Sequence, residues 1–455
     1  MGSERTDQRT DQRTCSGCGV RAAGEHFVIS GRRVERCPAC QTARAVRLGR
    51  LYGQVIGVMA LIGVVAALAG SSTAIFGELP ITVMWAALAL LVAVIVHESG
   101  HATAGALLGY RIHGLALGFG PTLAGAWIGD LRLELRATLL GGATVASHRG
   151  RPIPRSHRVG LILGGVGAET LLLAAVIALW PTEGGWRDMS VVFRGAEMAG
   201  GTQFRGWLLA ALTFTIVGNL IPLQSVLGRS DGAALAELLT MDQDQIDETI
   251  GPDLGAALAV YGRAGQPDRA LPYIEQALVS FPDNKGLQLL KGSALSMSGH
   301  WAEALSWLAG RSESFDGESP ERCAVLCNNI AWTAVMIGDE SLAPMALEHS
   351  AYAHDLFPLQ PPIAGTRGAA LVLAGQPAEG IPLLEWAARS HQDAGSRALN
   401  HGWLALAHAA LGDRYETRIQ REAMLAADPS CPVRDRVKGE LAALDATALG
   451  HGALR

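Results

Sequence analysis

The stretch PITVMWAALALLVAVIVHESGHATAGALLG, residues 80–109, is long and apolar, with Glu98 as its only acidic residue and no Lys or Arg. An apolar helix of about 20 residues is long enough to cross a bilayer. Residues 52–70, 159–182 and 206–228 are similarly apolar. The sequence therefore predicts a mainly α-helical fold whose core is a polytopic membrane bundle of about four spans.

The composition supports a membrane protein of several domains. The chain has 455 residues, of which 17% are charged and 49% hydrophobic, and its mean hydropathy is +0.23. Soluble domains contain about 25% charged residues, so this chain is unusually apolar. A net charge of -5 argues against nucleic acid as a partner. Length alone indicates about three domains.

Arginines predict how the chain sits in the bilayer, because short cytoplasmic loops collect Lys and Arg. Arg44, Arg47 and Arg50 precede the first predicted span, and four arginines between residues 149 and 158 precede the third. The loop at residues 71–79 has neither Lys nor Arg. We therefore expect a multi-pass protein of a bacterial cell membrane with both termini in the cytoplasm.

The second predicted span contains His97-Glu98-Ser99-Gly100-His101, an HExxH pattern. Positions i and i+4 of a helix share one face, so both imidazoles can reach one Zn²⁺ with Glu98 near its bound water. An ionisable residue inside a span is costly, which makes each of these a candidate functional residue. The alternative is a pair of helix-packing histidines beside a Glu that extends toward the membrane surface.

A hydrolytic zinc site needs a third protein ligand and an open position for water. After the fourth span come Asn219-Leu220-Ile221-Pro222 and then Ser230-Asp231-Gly232. With these motifs, residues 50–240 resemble the site-2 protease family of intramembrane zinc metallopeptidases. In that family an Asp from an N-x-x-P...D-G motif completes HExxH. The resemblance implies that His97, His101 and Asp231 bind zinc, that Glu98 is the general base and that Asn219 supports the site.

Two features depart from the family pattern. Asp231 follows Asn219 by twelve residues, whereas the family spacing is eight, so Asp231 could instead cap a helix that begins at Gly232. In the third span, Glu169 stands where the family shows the Asn of G-P-x-x-N. We expect Glu169 to be a protonated carboxyl that bonds between helices, in preference to a direct catalytic part.

Residues 110–146 alternate apolar and polar side chains around glycines, which predicts β-strands, with a plain loop as the alternative. Members of the resembled family carry β-hairpins here. An unpaired strand edge could hold a substrate in extended form. The expected substrate is a membrane protein whose helix unwinds near its cytoplasmic end, because a hydrogen-bonded helix hides its peptide groups.

Four cysteines near the N-terminus form two CxxC pairs, with eighteen residues between the pairs. This spacing is typical of a structural zinc ribbon, predicted over residues 15–43, and redox or nucleic-acid roles are the alternatives. Residues 1–14 before it predict a disordered tail. The four cysteines are Cys15, Cys18, Cys37 and Cys40. With the membrane site, the sequence predicts one catalytic and one structural zinc ion.

The C-terminal part, residues 250–445, is rich in Ala and Leu and repeats a phrase. The pattern at residues 265–271 returns 34 residues later at 299–305, and looser copies begin at Gly338, Gly375 and Gly412. A 34-residue period resembles tetratricopeptide repeats, which stack helix pairs into an α-solenoid. Such repeats commonly hold a peptide on their concave face, so we expect a protein partner or a substrate segment there.

Two functions from different classes fit these observations. In the first, the chain is an intramembrane zinc protease that cleaves membrane proteins in or near a transmembrane helix, in regulated proteolysis. In the second, it is an inactive relative that serves as a membrane-anchored scaffold. The complete set of His97, Glu98, His101 and Asp231 favours the enzyme.

Overall fold

A computed structural model describes residues 12–15, 21–23, 28–30, 34–37, 40, 74–149, 152–181, 200–225, 228–390 and 393–452. The predicted first span at residues 52–70 and Cys18 lie outside the described residues, as does most of the predicted tail. The last three tail residues form a strand, β1 (Gln12–Thr14), which pairs with β2 (Arg21–Ala23). A second small hairpin joins β3 (Val28–Ser30) to β4 (Val34–Arg36).

The chain is mainly helical and divides into two compact units. One unit is Ala45–Leu290, and the other combines Met1–Arg44 with Lys291–Arg455. The first unit contains three long helices, which are α1 (Ala74–Leu107), α2 (Arg155–Leu179) and α3 (Gly200–Leu220).

Two helices in the described part of the chain are long and apolar enough to cross a membrane. They cover Thr82–Leu107 and Arg155–Leu179 and correspond to the second and third predicted spans. The fourth predicted span is helical, but α3 ends at Leu220 rather than at residue 228. It also falls short of the apolar content of the other two, since polar Gln203 and Arg205 lie near its start. A core of four spans stays a prediction.

Helices α1, α2 and α3 pack on one another through small and branched apolar residues. Ala89 and Ala93 of α1 meet Val176 of α2 and three leucines of α3. Further along, α1 and α2 come close where two glycines face each other. A Cβ placed on Gly100 would lie 2.3 Å from the carbonyl oxygen of Gly164, so only glycine allows this approach. Gly100 belongs to the HExxH motif, which places the motif against α2.

Strands β5 (Tyr110–Ile128) and β6 (Leu131–His148) form the predicted hairpin, which turns at Gly129-Asp130. Residues 114–117 pair with residues 142–145 on one side and with residues 132–135 on the other. The two long strands therefore fold into a small sheet of three strand segments. Among the described residues, the segment 142–145 pairs along one side only.

Between the end of α3 and residue 285, the described chain forms a short hairpin and four α-helices. The turn of the large hairpin rests on the last two of these helices, since the Tyr273 hydroxyl donates to Oδ2 of Asp130 over 2.7 Å. Trp127 stacks on Tyr261 with ring centroids 5.9 Å apart. These contacts tie the sheet to the helical segment that follows it. The elements are β7 (Gln224–Ser225), β8 (Gly228–Arg229), α4 (Asp231–Thr240), α5 (Gln243–Glu248), α6 (Ile250–Arg263) and α7 (Leu271–Ser280).

From α6 onward, ten successive helices of the described chain come in five pairs, each joined by a short turn, and one last helix follows them. Each of five successive pairs has a left-handed glycine at its turn, with φ between 71° and 82°. These are Gly265, Gly299, Gly338, Gly375 and Gly412, the positions of the repeated phrase. The helix pairs are observed, and their assignment to tetratricopeptide repeats stays a prediction. The remaining helices are α8 (Lys285–Met297), α9 (Trp301–Ala309), α10 (Pro320–Ile337), α11 (Ala343–Leu356), α12 (Pro361–Leu373), α13 (Pro377–Ser390), α14 (Ala394–Ala410), α15 (Arg414–Ala427) and α16 (Arg434–Gly452).

Candidate active site

Helix α1 places the two histidines of the HExxH motif on one face, as its 3.6-residue turn requires. The imidazole rings of His97 and His101 meet edge to face with centroids 4.6 Å apart. Their Nε2 atoms lie 3.0 Å from each other. Each ring directs its other nitrogen, Nδ1, toward helix α2. Both Nε2 atoms are therefore directed to one point.

Asp231 joins the two histidines from a different part of the chain. Its Oδ2 atom lies 3.3 Å from Nε2 of His97 and 3.4 Å from Nε2 of His101. The structure thus brings together the three residues that the sequence resemblance selected. We call these three residues the imidazole–carboxylate cluster.

The longer spacing before Asp231 is taken up by the hairpin of β7 and β8. The chain enters and leaves this hairpin at Leu223 and Ser230, where Ser230 N–H donates to the Leu223 carbonyl over 3.0 Å. The inserted residues therefore loop out without moving Asp231 away. The capping residue of α4 is Ser230, whose Oγ accepts from the Ala233 N–H, and Asp231 is the first helical residue. The alternative in which Asp231 is the capping residue is therefore wrong for this helix.

The imidazole–carboxylate cluster has the dimensions of a tetrahedral zinc site. Zinc bonds of 2.0–2.2 Å in a tetrahedron separate neighbouring ligand atoms by roughly 3.3–3.5 Å. The three ligand-atom separations are 3.0, 3.3 and 3.4 Å. Oδ2 of Asp231 is buried and accepts no hydrogen bond from the described residues. A buried carboxylate oxygen without a donor is costly, and a cation shared with the two imidazoles would satisfy it.

Glu98 lies beside this cluster and is held by the β-sheet. The residue is 6% exposed, and its Oε2 accepts a hydrogen bond of 2.7 Å from the Thr144 hydroxyl in β6. The same hydroxyl is 3.0 Å from the Glu98 carbonyl oxygen. Thr144 therefore orients the carboxylate, and no sequence motif singled it out.

A cavity of about 800 Å³ contains the whole arrangement. One wall is the strand segment 141–146, and Asn219 lines the cavity as well, although its supporting role stays a prediction. Four carboxylates line this space, and three of them, from Glu98, Glu169 and Asp231, lie at the histidines, while Asp253 lies farther along the wall. The cavity is therefore rich in negative charge, which suits a divalent cation.

The two arginines that line the cavity have carboxylates of their own. Arg158 forms a two-point ion pair with Asp253, of which the Nη2–Oδ1 distance is 3.0 Å, and Arg229 pairs with Glu237. Burial raises the pKa of the Asp253 carboxyl, and the neighbouring Arg158 guanidinium opposes that shift. Because both arginines are paired, they do not neutralise the carboxylates at the cluster.

Three of the four predicted ribbon cysteines also converge. The sulfur atoms of Cys15, Cys37 and Cys40 lie within 4.8 Å of one another, and Cys37 N–H donates to the Cys15 sulfur over 3.3 Å. They pack against Leu359 and Trp386 of the same unit. Three thiols this close could hold a metal ion, with Cys18 as the predicted fourth ligand.

A site of two imidazoles and a carboxylate, with a further carboxylate beside it and apolar helices around it, defines a class: the membrane-associated zinc metallopeptidases. The chain belongs to Peptidase family M50, whose family model matches residues 85–346, more than half of its length. This confirms the resemblance found in the sequence. Members of the family are zinc metalloproteases of membranes that act on peptide or membrane-protein substrates. No curated protein matches the chain.

Proposed function

We propose that this chain is an intramembrane protease that hydrolyses membrane-protein substrates in or near a transmembrane helix, in regulated proteolysis. The observation that carries the proposal is the convergence of His97, His101 and Asp231 within 3.4 Å of one another, in one cavity with Glu98. An inactive scaffold would not need this arrangement to be complete.

We assign zinc to the imidazole–carboxylate cluster and general-base chemistry to Glu98. Zinc held there would polarise the scissile carbonyl and lower the pKa of the attacking water toward about 7. Glu98 takes a proton from the attacking water and passes it to the leaving amine. The hydrogen bond from Thr144 keeps the Glu98 carboxylate aimed at this water while the substrate binds.

The substrate would bind as a strand beside residues 141–146. This segment lines the cavity and its part at 142–145 pairs along one side only among the described residues. Main-chain hydrogen bonds to such an edge align a peptide without reading its sequence. A substrate helix must therefore unwind first, which favours helices with weak segments near the cleavage site.

For the arrangement in the cell we propose four spans with both termini in the cytoplasm of a bacterial cell. The arginines before the first and third spans support this orientation. We further propose that the cysteine cluster binds a structural zinc ion and that the C-terminal helix pairs hold a protein partner or a substrate segment. Both parts would then lie on the cytoplasmic side, where thiols stay reduced.

The decisive experiment compares wild type with Glu98→Gln in the native membrane. We expect membrane-anchored substrate stubs to accumulate in the variant, because the general base is lost while the shape of the site is kept. Asp244→Asn, at an exposed residue of α5 outside the cavity and the C-terminal helix pairs, is the matched control and should leave stub levels unchanged. If no stub differs between wild type and Glu98→Gln under any condition, the scaffold function replaces the protease.

Metal content tests the two proposed zinc sites separately. The full chain should carry about two zinc ions, and Cys15→Ala combined with Cys18→Ala should leave one. A preparation that retains none after this change would contradict the membrane site. Retention of both would contradict the ribbon.

A further inference from the structure

Glu169 of α2 is a completely buried carboxylate, at 0% exposure, in contact with the active site. Its Oε2 atom lies 3.1 Å from Nδ1 of His97. Its other oxygen, Oε1, has no hydrogen-bond partner among the described residues. A buried carboxylate with half its bonding capacity unused is expensive, so its presence beside a histidine of the cluster calls for a reason.

The second histidine is held by the same helix in the same way. Nδ1 of His101 donates to the carbonyl oxygen of Leu161 over 2.8 Å. Leu161 and Glu169 are eight residues apart, about two helical turns, so they lie on one face of α2. Gly165 lies between them, and a Cβ there would be 2.5 Å from Nε2 of His101. One face of α2 therefore supports both imidazole rings.

These two contacts decide which nitrogen of each ring carries the proton. A carbonyl oxygen can only accept, so Nδ1 of His101 donates the proton, and in the neutral ring its Nε2 carries a lone pair. In place of the protonated carboxyl expected from the sequence, we take Glu169 here as a carboxylate, which accepts from Nδ1 of His97 in the same sense. Both Nε2 lone pairs then face each other across 3.0 Å, beside the Asp231 oxygen. Three electron-rich atoms this close repel one another unless a cation lies between them.

We propose that Glu169 is a positioning residue for metal binding, which fixes the ring and the tautomer of His97 as the Leu161 carbonyl does for His101. The proposal rests on the assignment of zinc to the imidazole–carboxylate cluster. A carboxylate does more than an amide would do here, because its charge makes the imidazole a stronger ligand. The contact of Glu169 Oε2 with Nδ1 of His97 assigns it a role through His97 and none on the reacting atoms themselves.

The test measures zinc affinity and a spectrum, so that it does not depend on knowing a substrate. All measurements use the full-length chain with Cys37→Ser and Cys40→Ser. The zinc that is measured is then the zinc bound at the imidazole–carboxylate cluster. The Zn²⁺ dissociation constant is measured by competition with a chelating dye, and the visible spectrum is recorded with Co²⁺ in place of zinc. The variants are Glu169→Gln and Glu169→Ala, with Thr170→Ala as the matched control. Thr170 is exposed, and its hydroxyl donates to the Val166 carbonyl oxygen of its own helix over 2.7 Å.

Loss of a group that orients a metal-bound histidine typically weakens metal affinity 10- to 100-fold. We expect a loss of about this size in Glu169→Gln and at least as much in Glu169→Ala, with Thr170→Ala unchanged. The Co²⁺ spectrum should shift in Glu169→Gln, because the imidazole donates differently. A role in helix packing alone would leave that spectrum unaltered.

The outcomes separate this inference from the proposed function. If Glu169→Gln binds zinc as tightly as its parent and gives the same Co²⁺ spectrum, the positioning role is overturned while the zinc site stands. If the parent chain binds no zinc, or His97→Ala binds as tightly as the parent, the proposed zinc site itself fails. If Glu169→Ala does not fold, the isosteric Glu169→Gln decides by the same criterion.

Discussion

Thr144 in strand β6 donates its hydroxyl proton to Oε2 of Glu98 in helix α1, over 2.7 Å. The two residues are 46 positions apart in the chain. This hydrogen bond ties the strand edge that we assign to the substrate to the carboxylate that we assign to water activation. The hydrogen bond therefore joins the helix to the sheet at the candidate active site.

Replacing Thr144 with Val keeps the shape of the side chain and removes the hydroxyl. We expect proteolysis to fall about ten- to a hundredfold, because a misplaced base loses alignment with the attacking water. Zinc content should stay the same. The measurement is the rate at which each Thr144 variant cleaves the substrate stub that accumulates in the Glu98→Gln variant. Thr144→Ser restores the hydroxyl, and an equally large loss in Thr144→Ser would contradict this account.

Gly165 is required because both imidazoles lie against it. A Cβ there would be 2.5 Å from Nε2 of His101 and 2.7 Å from Cε1 of His97. We expect Gly165→Ala to lose most of its membrane-site zinc, as measured by metal analysis of the purified chain. Gly167→Ala is the control, since a Cβ at Gly167 meets nothing within 4 Å. Equal zinc content in the two variants would refute the close contact.

The hairpin of β7 and β8 should be dispensable for metal binding. Gln224 pairs with Arg229, and Leu223 N–H donates to the Ser230 Oγ over 3.0 Å, so the ends of the insertion are already adjacent. Deleting residues 225–228 brings Asp231 back to the family spacing of eight. We expect this deletion to keep its zinc, whereas Asp231→Ala should lose it. Metal loss in the deletion variant would mean that the hairpin itself positions Asp231.

His113 predicts a pH dependence of stability. It is fully buried, with Nδ1 2.9 Å from the Tyr261 hydroxyl and Nε2 2.7 Å from the Ser147 hydroxyl. Burial, together with the nearby charge of Arg111, lowers the pKa of His113 from 6.5 to about 4. The unfolded chain therefore binds a proton more readily than the folded chain between these values. Stability from this residue is complete above pH 6.5 and lost as the pH falls through about 4.

The size of this effect is at most about 3.5 kcal/mol, from about 1.4 kcal/mol for each unit of pKa difference. Thermal unfolding of the full chain at about pH 7.5 and about pH 5 measures it, since these values bracket part of the window. His113→Gln keeps polar groups at the position but does not titrate there. Its unfolding temperature should drop less between the two pH values than that of wild type. An identical drop would remove His113 as the cause.

Some parts of the site were predictable because they depend on local spacing. Two histidines four apart share a helix face whatever surrounds them, so HExxH predicts their meeting directly. The β-hairpin was predictable from alternating residues and from its turn at Gly129-Asp130. The glycines that recur through the C-terminal part mark the helix-pair turns for the same local reason, since each adopts a left-handed φ.

Other parts depend on which elements pack together, and no local pattern reports that. Thr144 reaches Glu98, and the Leu161 carbonyl reaches His101, only because the sheet and α2 close on α1. A backbone carbonyl leaves no signal in a sequence. The extension before Asp231 likewise gave no indication that its residues loop out as a hairpin.

The sequence by itself determined two long apolar helices and the paired histidines with their glutamate, because pitch and composition are properties of the chain alone. The resemblance to a known family supplied Asp231 as the third candidate ligand. Tertiary structure decided whether Asp231 arrives at those histidines and what holds their rings. The physical reason is the close crossing of α1 and α2 at Gly100 and Gly164, where missing side chains let the helices approach. That approach brings Glu169 within hydrogen-bonding distance of His97.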